Sequence, residues 1–248
     1  MMQETVRLNK YLASAGVCSR READRLIEEG AVSVDGRIAP VGCKVSGQET
    51  ITVSGRLIER PGERVVLAFY KPVGVVCSTG DPHAEKTIFD VLDYKRRLTY
   101  AGRLDKDSEG LLLMTDDGDL IERMMRSSGG HEKEYEVDID KPVTEDFLAK
   151  MRAGIYLKEL ERTTLPCRVE KTGEKSFSII LTQGMNRQIR RMCQSCGCRV
   201  IRLKRVRVVN VMLEDLKPGQ YRELDGKQID QLKEALRMDE KAMREKRG

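Results

Sequence analysis

The chain has 248 residues, 40% hydrophobic and 34% charged, which allows a sizeable core and leaves room for two domains. No apolar run reaches membrane length or follows a basic start, and the seven cysteines are an odd set without disulfide-scaffold spacing. These features argue against a membrane or disulfide-stapled secreted protein and lead us to expect a reduced, cytosolic one. Aromatics at 4% with no Trp disfavour a single-strand platform of many exposed rings, while a net charge of +5, unevenly spread, favours nucleic acid as partner.

Residues 6–29 predict two short helices. Val6, Leu8, Tyr11, Leu12 and Ala15 fall at helical spacing up to a break at Gly16, and Ser19 to Glu22 has the form of a capping box for a second helix that buries Ala23, Leu26 and Ile27. Asp35-Gly36 and Ser54-Gly55 each sit between alternating residues, as two-residue hairpin turns do. Helices followed by hairpins make a small unit, assigned to 1–62, whose surface would carry Arg7, Lys10, Arg20, Arg21, Arg25 and Lys44. Glu22, Asp24, Glu28 and Glu29 nearly balance those cations, so charge alone leaves open whether this face binds RNA or is merely solvated.

Pro61-Gly62 marks a linker, and a second unit, 63–237, opens with a buried-type strand at 65–70 and a turn at Lys71-Pro72-Val73-Gly74. Residues 102–113 read GRLDKDSEGLLL. Asp105, in an Arg-Leu-Asp triplet ahead of an apolar run, is the candidate catalytic carboxylate. Asp105, Asp107, Glu109, Gly110 and Asp116 also approach a calcium-loop spacing. That loop, however, wants Asp at its fifth position, Glu at its twelfth and a helix on either side, whereas residues 98–102 and 111–115 read as strand or turn.

Further strands are expected at 133–139 and 176–182, followed by a turn at Gln183-Gly184-Met185 and a helix capped by Asn186 and ended by Gly197. On that helix Arg187, Arg190 and Arg191 would share one face, and Ile189, Met192 and Cys196 would point elsewhere. Cys193, Cys196 and Cys198 have no second Cys pair or nearby His at zinc-ligand spacing, His83 and His131 being remote, so Cys193 and Cys196 are expected on the buried face. From Arg187 to Arg207 the chain carries eight cations and no carboxylate, which reads as a phosphate-facing stripe. A helix at 227–237 should close the second unit, with 238–248 a charged, frayed tail.

Two resemblances extend this reading. RLNKYLASAGVCSRREADRLIEEGAVSVDGR resembles the small RNA-binding domain named for the fourth protein of the small ribosomal subunit. FYKPVGVV at 69–76, GRLDKDSEGLLLMT at 102–115, the Lys133-Glu134-Tyr135 triplet and LTQGMNRQIRRM at 181–192 resemble the pseudouridine synthases, in particular the ribosomal-RNA branch that begins with that domain, and its large-subunit more than its small-subunit members. The resemblance implies an α+β fold: a mixed, mainly antiparallel sheet with flanking helices, plus the small N-terminal α+β domain. It further implies a monomer that acts on ribosomal RNA, 23S in particular, without metal or cofactor.

Asp105 matches the family's essential aspartate, which acts by attacking the sugar or by abstracting a proton to give a glycal. Arg190 matches the basic residue that pairs with it, and Tyr135 the ring that stacks on the target base. Arg103 matches the residue that fills the gap left by a flipped uridine, and Leu203 an apolar wall over the base. Lys71 and Pro72 would shape or support the pocket floor. RNA contacts are expected from Lys71, Arg103, Lys133, Arg187, Arg191 and Leu203, and in the small domain from Lys10, Arg20, Arg21 and Arg25.

Overall fold

A computed structural model describes residues 5–60, 62–78, 84–126 and 129–245, with side chains as far as 237; Pro61 of the expected linker, His83 and the last three residues of the expected tail lie outside the described residues. The chain forms two compact units. One comprises Met1–Val65, Tyr94–Thr99 and Asp116–Gly118, and the other the remainder.

In the first unit β1 (Val6–Arg7) leads into α1 (Leu8–Ser14) and α2 (Arg20–Glu28), followed by β2 (Val32–Val34), β3 (Arg37–Ile38), β4 (Lys44–Val45), β5 (Ile51–Val53) and β6 (Arg56–Leu57). Ser19 caps α2, its Oγ accepting the Glu22 N–H at 3.2 Å. The Glu22 carboxylate turns to Arg25 at 2.5 Å. Both expected hairpins form, with Asp35 and Gly36 at φ 49° and 76° and Ser54 and Gly55 at 50° and 78°, the left-handed pair whose twist matches the flanking strands. The four-stranded sheet runs β3-β2-β5-β6, and Leu8, Leu12, Ala23, Val32, Val45 and Ile51 fill its core. The unit is not a simple stretch of chain: Asp116 accepts the Val65 N–H at 3.0 Å and pairs with Arg96 at 3.5 Å, which ties two later segments to its end.

The second unit contains β7 (Val66–Lys71), β8 (Thr99–Tyr100, at its edge), β9 (Glu109–Thr115), α3 (Gly118–Met125), β10 (Lys133–Ile139), α4 (Glu145–Ala153), β11 (Tyr156–Leu157), β12 (Arg162–Thr163), β13 (Arg168–Lys171), β14 (Ser176–Leu181), α5 (Gln188–Ser195), β15 (Val200–Val208), β16 (Val211–Met212), β17 (Tyr221–Glu223) and α6 (Gly226–Glu245). Its main sheet runs β13-β14-β10-β15-β9-β7-β17. Neighbours are antiparallel except β15 and β9, a parallel pair in the middle of the sheet. The mixed, mainly antiparallel architecture is therefore the one expected.

Every residue of β7 is buried, as are the last six of β9, so both strands read as unbroken apolar runs instead of alternating ones. One core packs α4 and α5 on β10, β14 and β15 through Phe147, Phe177, Ile179, Ile189, Met192 and Leu203; each such side chain contributes about 1.5–3 kcal/mol when fully buried. The expectation for the cysteines holds: Cys193 is buried in this core and Cys196 packs against it. A second core places Leu232 and Leu236 of α6 with Leu111, Leu113 and Leu224. Helix α6 runs to Glu245, beyond the expected end at 237. The residues that follow Arg237 include no Gly or Pro before Gly248, and Met, Glu, Lys, Ala and Arg there are good helix formers.

Candidate active site

The turn from Asp105 to Ser108 is held from several directions. The Ser108 N–H donates to Asp105 O at 3.0 Å and the Gly74 N–H to Lys106 O at 2.8 Å. Lys71 Nζ donates to Ser108 O at 2.7 Å and to Pro72 O at 2.8 Å. Arg190 Nη2 donates to Asp107 O at 2.7 Å. Such a turn presents a side chain with little freedom, and the one it presents is Asp105, on the wall of a cavity of about 400 Å³. Tyr135, Lys133, Leu203, Arg103, Arg187 and Arg205 also line this cavity.

Strand register explains which residues meet there. Tyr135 lies opposite Arg205 on β15 and Ile179 on β14, and alternate residues of a strand share a face, so Leu203 and Arg205 come to the cavity together. Arg202 and Lys204 go to the other face, where they meet Glu109 at 2.6 Å and Glu136 at 3.8 Å. A bulge in the β10–β15 pairing falls between Glu134 and Tyr135.

Several expectations are corrected. The eight cations of 187–207 do not form one phosphate-facing stripe. Arg207 is held by Glu134 at 2.8 Å and Glu132 at 3.0 Å, Arg199 by Asp140 at 4.0 Å, Arg191 by Glu159, and Arg205 is 2% exposed. Carboxylates from distant segments neutralise a run that carries none of its own. Arg191 consequently turns away from the cavity that Arg187 lines, although both were expected on one face. Lys71 is completely buried and cannot contact RNA. It braces the turn, and burial pushes its ammonium down to about 8 while the charges of Cys77, Asp105 and Asp107 oppose that shift. Asn186 does not cap α5; the N-cap is Arg187, in the left-handed region at φ 51°, and its guanidinium reaches Asp107 at 3.3 Å. Gly197 follows the helix at φ 74° and helps end it, as expected.

Arg190 stands behind the turn. It lies near enough to feel the charges of Asp107 and Asp105, although burial and then the neighbouring Arg187 draw its pKa down. Its hydrogen bonds go to Asp107 O and, more weakly, to Ser108 Oγ and Val200 O. Geometry therefore makes it a brace for the loop that carries Asp105. Arg103 is exposed at the cavity, and Leu203, 6% exposed, supplies an apolar wall. Lys133 Nζ donates to His131 O at 3.1 Å; burial and, secondarily, Arg205 lower its pKa to about 8.

Within the small domain Arg20 and Arg21 are exposed and Lys10 is half-buried. Arg25 is engaged by Glu22 at 2.5 Å and Glu29 at 3.8 Å.

The acids of the calcium-like spacing serve other partners. Glu109 accepts from Tyr70 Oη and Arg202 Nε, both at 2.6 Å, and Asp116 accepts from Val65 N at 3.0 Å. Among the described residues no group of three or more His, Cys, Asp or Glu is placed to hold a metal ion. No helix among them is long and apolar enough to cross a membrane.

Residues missed at the sequence level are Arg205, Gln183, Ser108 and His131. His131 is buried and its Nε2–H donates to Arg123 O at 3.0 Å. The strand period was the available signal for Arg205: it stands two residues from Leu203 and so shares its buried face, but the density of cations concealed it.

A family model described as RNA pseudouridylate synthase matches residues 65–195, and one described as S4 domain matches residues 6–51. The chain is 44% identical over 237 residues to the dual-specificity RNA pseudouridine synthase RluF of Salmonella typhi, covering 94% of this chain and 81% of that protein. It is 45% identical over 232 residues to RluF of Escherichia coli K12, covering 92% and 79%, and 39% identical over 240 residues to the ribosomal large subunit pseudouridine synthase B of Pseudomonas aeruginosa, covering 93% and 62%. A crystal structure of a pseudouridylate synthase is similar with a TM-score of 0.67 at 31% identity, covering 92% of this chain and 99% of that one.

Proposed function

Because the chain belongs to the RNA pseudouridylate synthase family and carries an S4 domain, we propose that it acts on 23S ribosomal RNA as a monomer, with Asp105 as the residue that opens the glycosidic bond. The activity itself is isomerisation of uridine to pseudouridine in ribosomal RNA. The observation that carries the assignment of roles is the braced turn that places Asp105 on the wall of a cavity shared with Tyr135 and Leu203. A uridine stacked in a helix cannot bring its C1′ and C5 to such a cavity, so the nucleotide must swing out of the stack. Tyr135 and Leu203 then offer a ring and an apolar wall to the base, and Arg103 is placed at the same cavity to occupy the vacated position. Arg190 and Lys71 act through the turn as positioning residues.

Release of tritium from RNA labelled at uracil C5 tests this reading. Unmodified 23S RNA should release label with this protein and unmodified 16S RNA should not. Release from 16S alone would remove the large-subunit assignment, and no release from either RNA, with binding intact, would remove the enzymatic one.

Two smaller effects are expected. Arg187 is exposed at the cavity and pairs with Asp107 only through a surface contact, worth at most about 1 kcal/mol. Arg187→Ala should therefore weaken RNA binding and flatten its dependence on salt by roughly one phosphate contact; an unchanged slope would take Arg187 out of the interface. The second effect is a pH dependence. Lys133 is charged below a pH of about 8 and loses its proton above it, next to Arg205 and inside a cavity that receives a polyanion. The single-turnover rate should fall as pH rises through about 8, and Lys133→Arg, which stays charged, should lose that alkaline limb. An identical profile in the variant would assign the limb to another group, such as Lys71.

A further inference from the structure

Two buried donors at the cavity have no hydrogen-bond partner among the described residues: Arg205 Nη2 and Gln183 Nε2. Both residues line the cavity. Arg205 comes from the centre of the sheet and Gln183 from the loop after β14, so two separate elements supply the donors. Arg205 Nε–H donates to Leu111 O at 2.7 Å, which anchors the guanidinium to β9, while its Nη2 has no acceptor among the described residues. A guanidinium keeps its charge at any working pH, and such a group is strongly unfavourable in a dry site unless something accepts from it. On the same strand Arg202, Lys204 and Arg207 each have a carboxylate. The cation without one is the cation at the cavity, beside Lys133 and across the strand pair from Tyr135.

Arg103 and Arg187 are exposed at the cavity and suit the RNA that stays outside it, Arg103 the gap the uridine leaves and Arg187 the backbone. The buried donors are placed for what enters. Resting on the function proposed above, we propose that Arg205 and Gln183 hold the two carbonyl oxygens of the uracil ring and carry its negative charge while the ring is detached from the ribose.

The reaction calls for two such donors. When the C1′–N1 bond breaks, its electron pair leaves with the ring, and the resulting anion spreads its charge from N1 onto O2 and O4. The ring must then present C5 to C1′. A half-turn about the line from N3 to C6 exchanges N1 with C5 and, at the same time, O2 with O4. Two donors matched to that pair of oxygens therefore find the same acceptors before and after the turn. C5 bonds to C1′, the C5 proton leaves to a base, and N1 gains a proton, so the product has the atoms of uridine. Donors fixed where charge develops are usually the largest single contribution that a protein makes to lowering a barrier.

The full-length protein on unmodified ribosomal RNA, under single-turnover conditions, separates this role from others. Arg205→Met should slow the step at saturating enzyme about 100-fold, the scale of losing a donor to a developing anion, and Gln183→Met about tenfold, since it removes a neutral donor. RNA affinity should stay within about twofold in both, with the salt slope unchanged, because no phosphate contact is lost. Guanidinium ion at non-denaturing concentration should restore part of the Arg205→Met rate. A weaker affinity and shallower salt slope with a normal saturating rate would make Arg205 a phosphate clamp and overturn the proposal. A lost rate that guanidinium does not restore, with Gln183→Met at the wild-type rate, would make Arg205 a structural prop and overturn it too. Wild-type protein that binds the RNA but releases no tritium would instead sink the underlying function, a result distinguishable from the others because it precedes any substitution.

Discussion

Asp105→Asn should reduce tritium release by about four orders of magnitude, the scale seen when a group that makes or breaks covalent bonds is removed, and leave RNA affinity within about twofold. The reason lies in how the turn is held. Its hydrogen bonds run from Lys71, Gly74 and Arg190 to the backbone oxygens of Ser108, Lys106 and Asp107, and within the turn from the Ser108 N–H to Asp105 O. An amide of the same shape keeps all of these and removes the nucleophilic or basic oxygen in either version of the chemistry. Folding should change little, with a melting temperature shift under about 3 °C, the amount that about 1 kcal/mol produces in a chain of this size. A variant with substantial residual release would deny Asp105 its role. A variant that melts well below the wild type would instead mean that the carboxylate supports the fold.

Gly110→Ala should be severely destabilising. Gly110 faces Arg205 in the parallel pairing of β9 and β15 at a φ of 109°, a region that L side chains rarely adopt. A Cβ there would sit 2.2 Å from Arg205 O and 2.7 Å from Arg205 N. These are backbone atoms of a central strand and cannot step aside as a flexible side chain would. Separating β9 from β15 disturbs, together, the strand that follows the Asp105 turn and the strand that carries Leu203 and Arg205. A cost of about 4 kcal/mol or more is expected, in the range reserved for backbone conflict and overpacking, measurable as a lower denaturant midpoint or loss of soluble protein. Gly36→Ala is the matched control: its φ is also positive, at 76°, but nothing lies within 4 Å of the added carbon, so only the conformational penalty of about 1 kcal/mol remains. Equal stability losses at the two positions would show that the close strand approach is not what Gly110 provides.

Local features were legible from the chain because their causes are local. The Asp35-Gly36 and Ser54-Gly55 turns need only two residues that tolerate positive φ between strand-like flanks, and Ser19 needs only its own helix to cap. The apolar runs of β7 and β9 announced burial, although a run buried on both faces carries no register. Asp105 was legible as a carboxylate in a distinctive setting, and the resemblance in the four motifs added the chemistry. The cysteines could be placed on a helix and assigned to its inner face.

What the chain alone determined is therefore the list of elements with strong short-range signals, together with Asp105 as the candidate carboxylate that the structure places at the cavity. Which cations are available to a ligand was decided only by the tertiary structure. Charges act through space: Glu109, Glu134, Glu136 and Asp140 stand far from residues 199–207 along the chain, yet lie beside Arg202, Arg207, Lys204 and Arg199 in the fold. The same holds for Lys71 and Arg205, whose polar side chains gave no sign of burial until sheet register closed β7, β9 and β15 around them. A one-residue change of register would exchange Arg205 for Lys204 at the cavity, since alternate residues of a strand face opposite ways, and register is set by partners that only the folded sheet brings together.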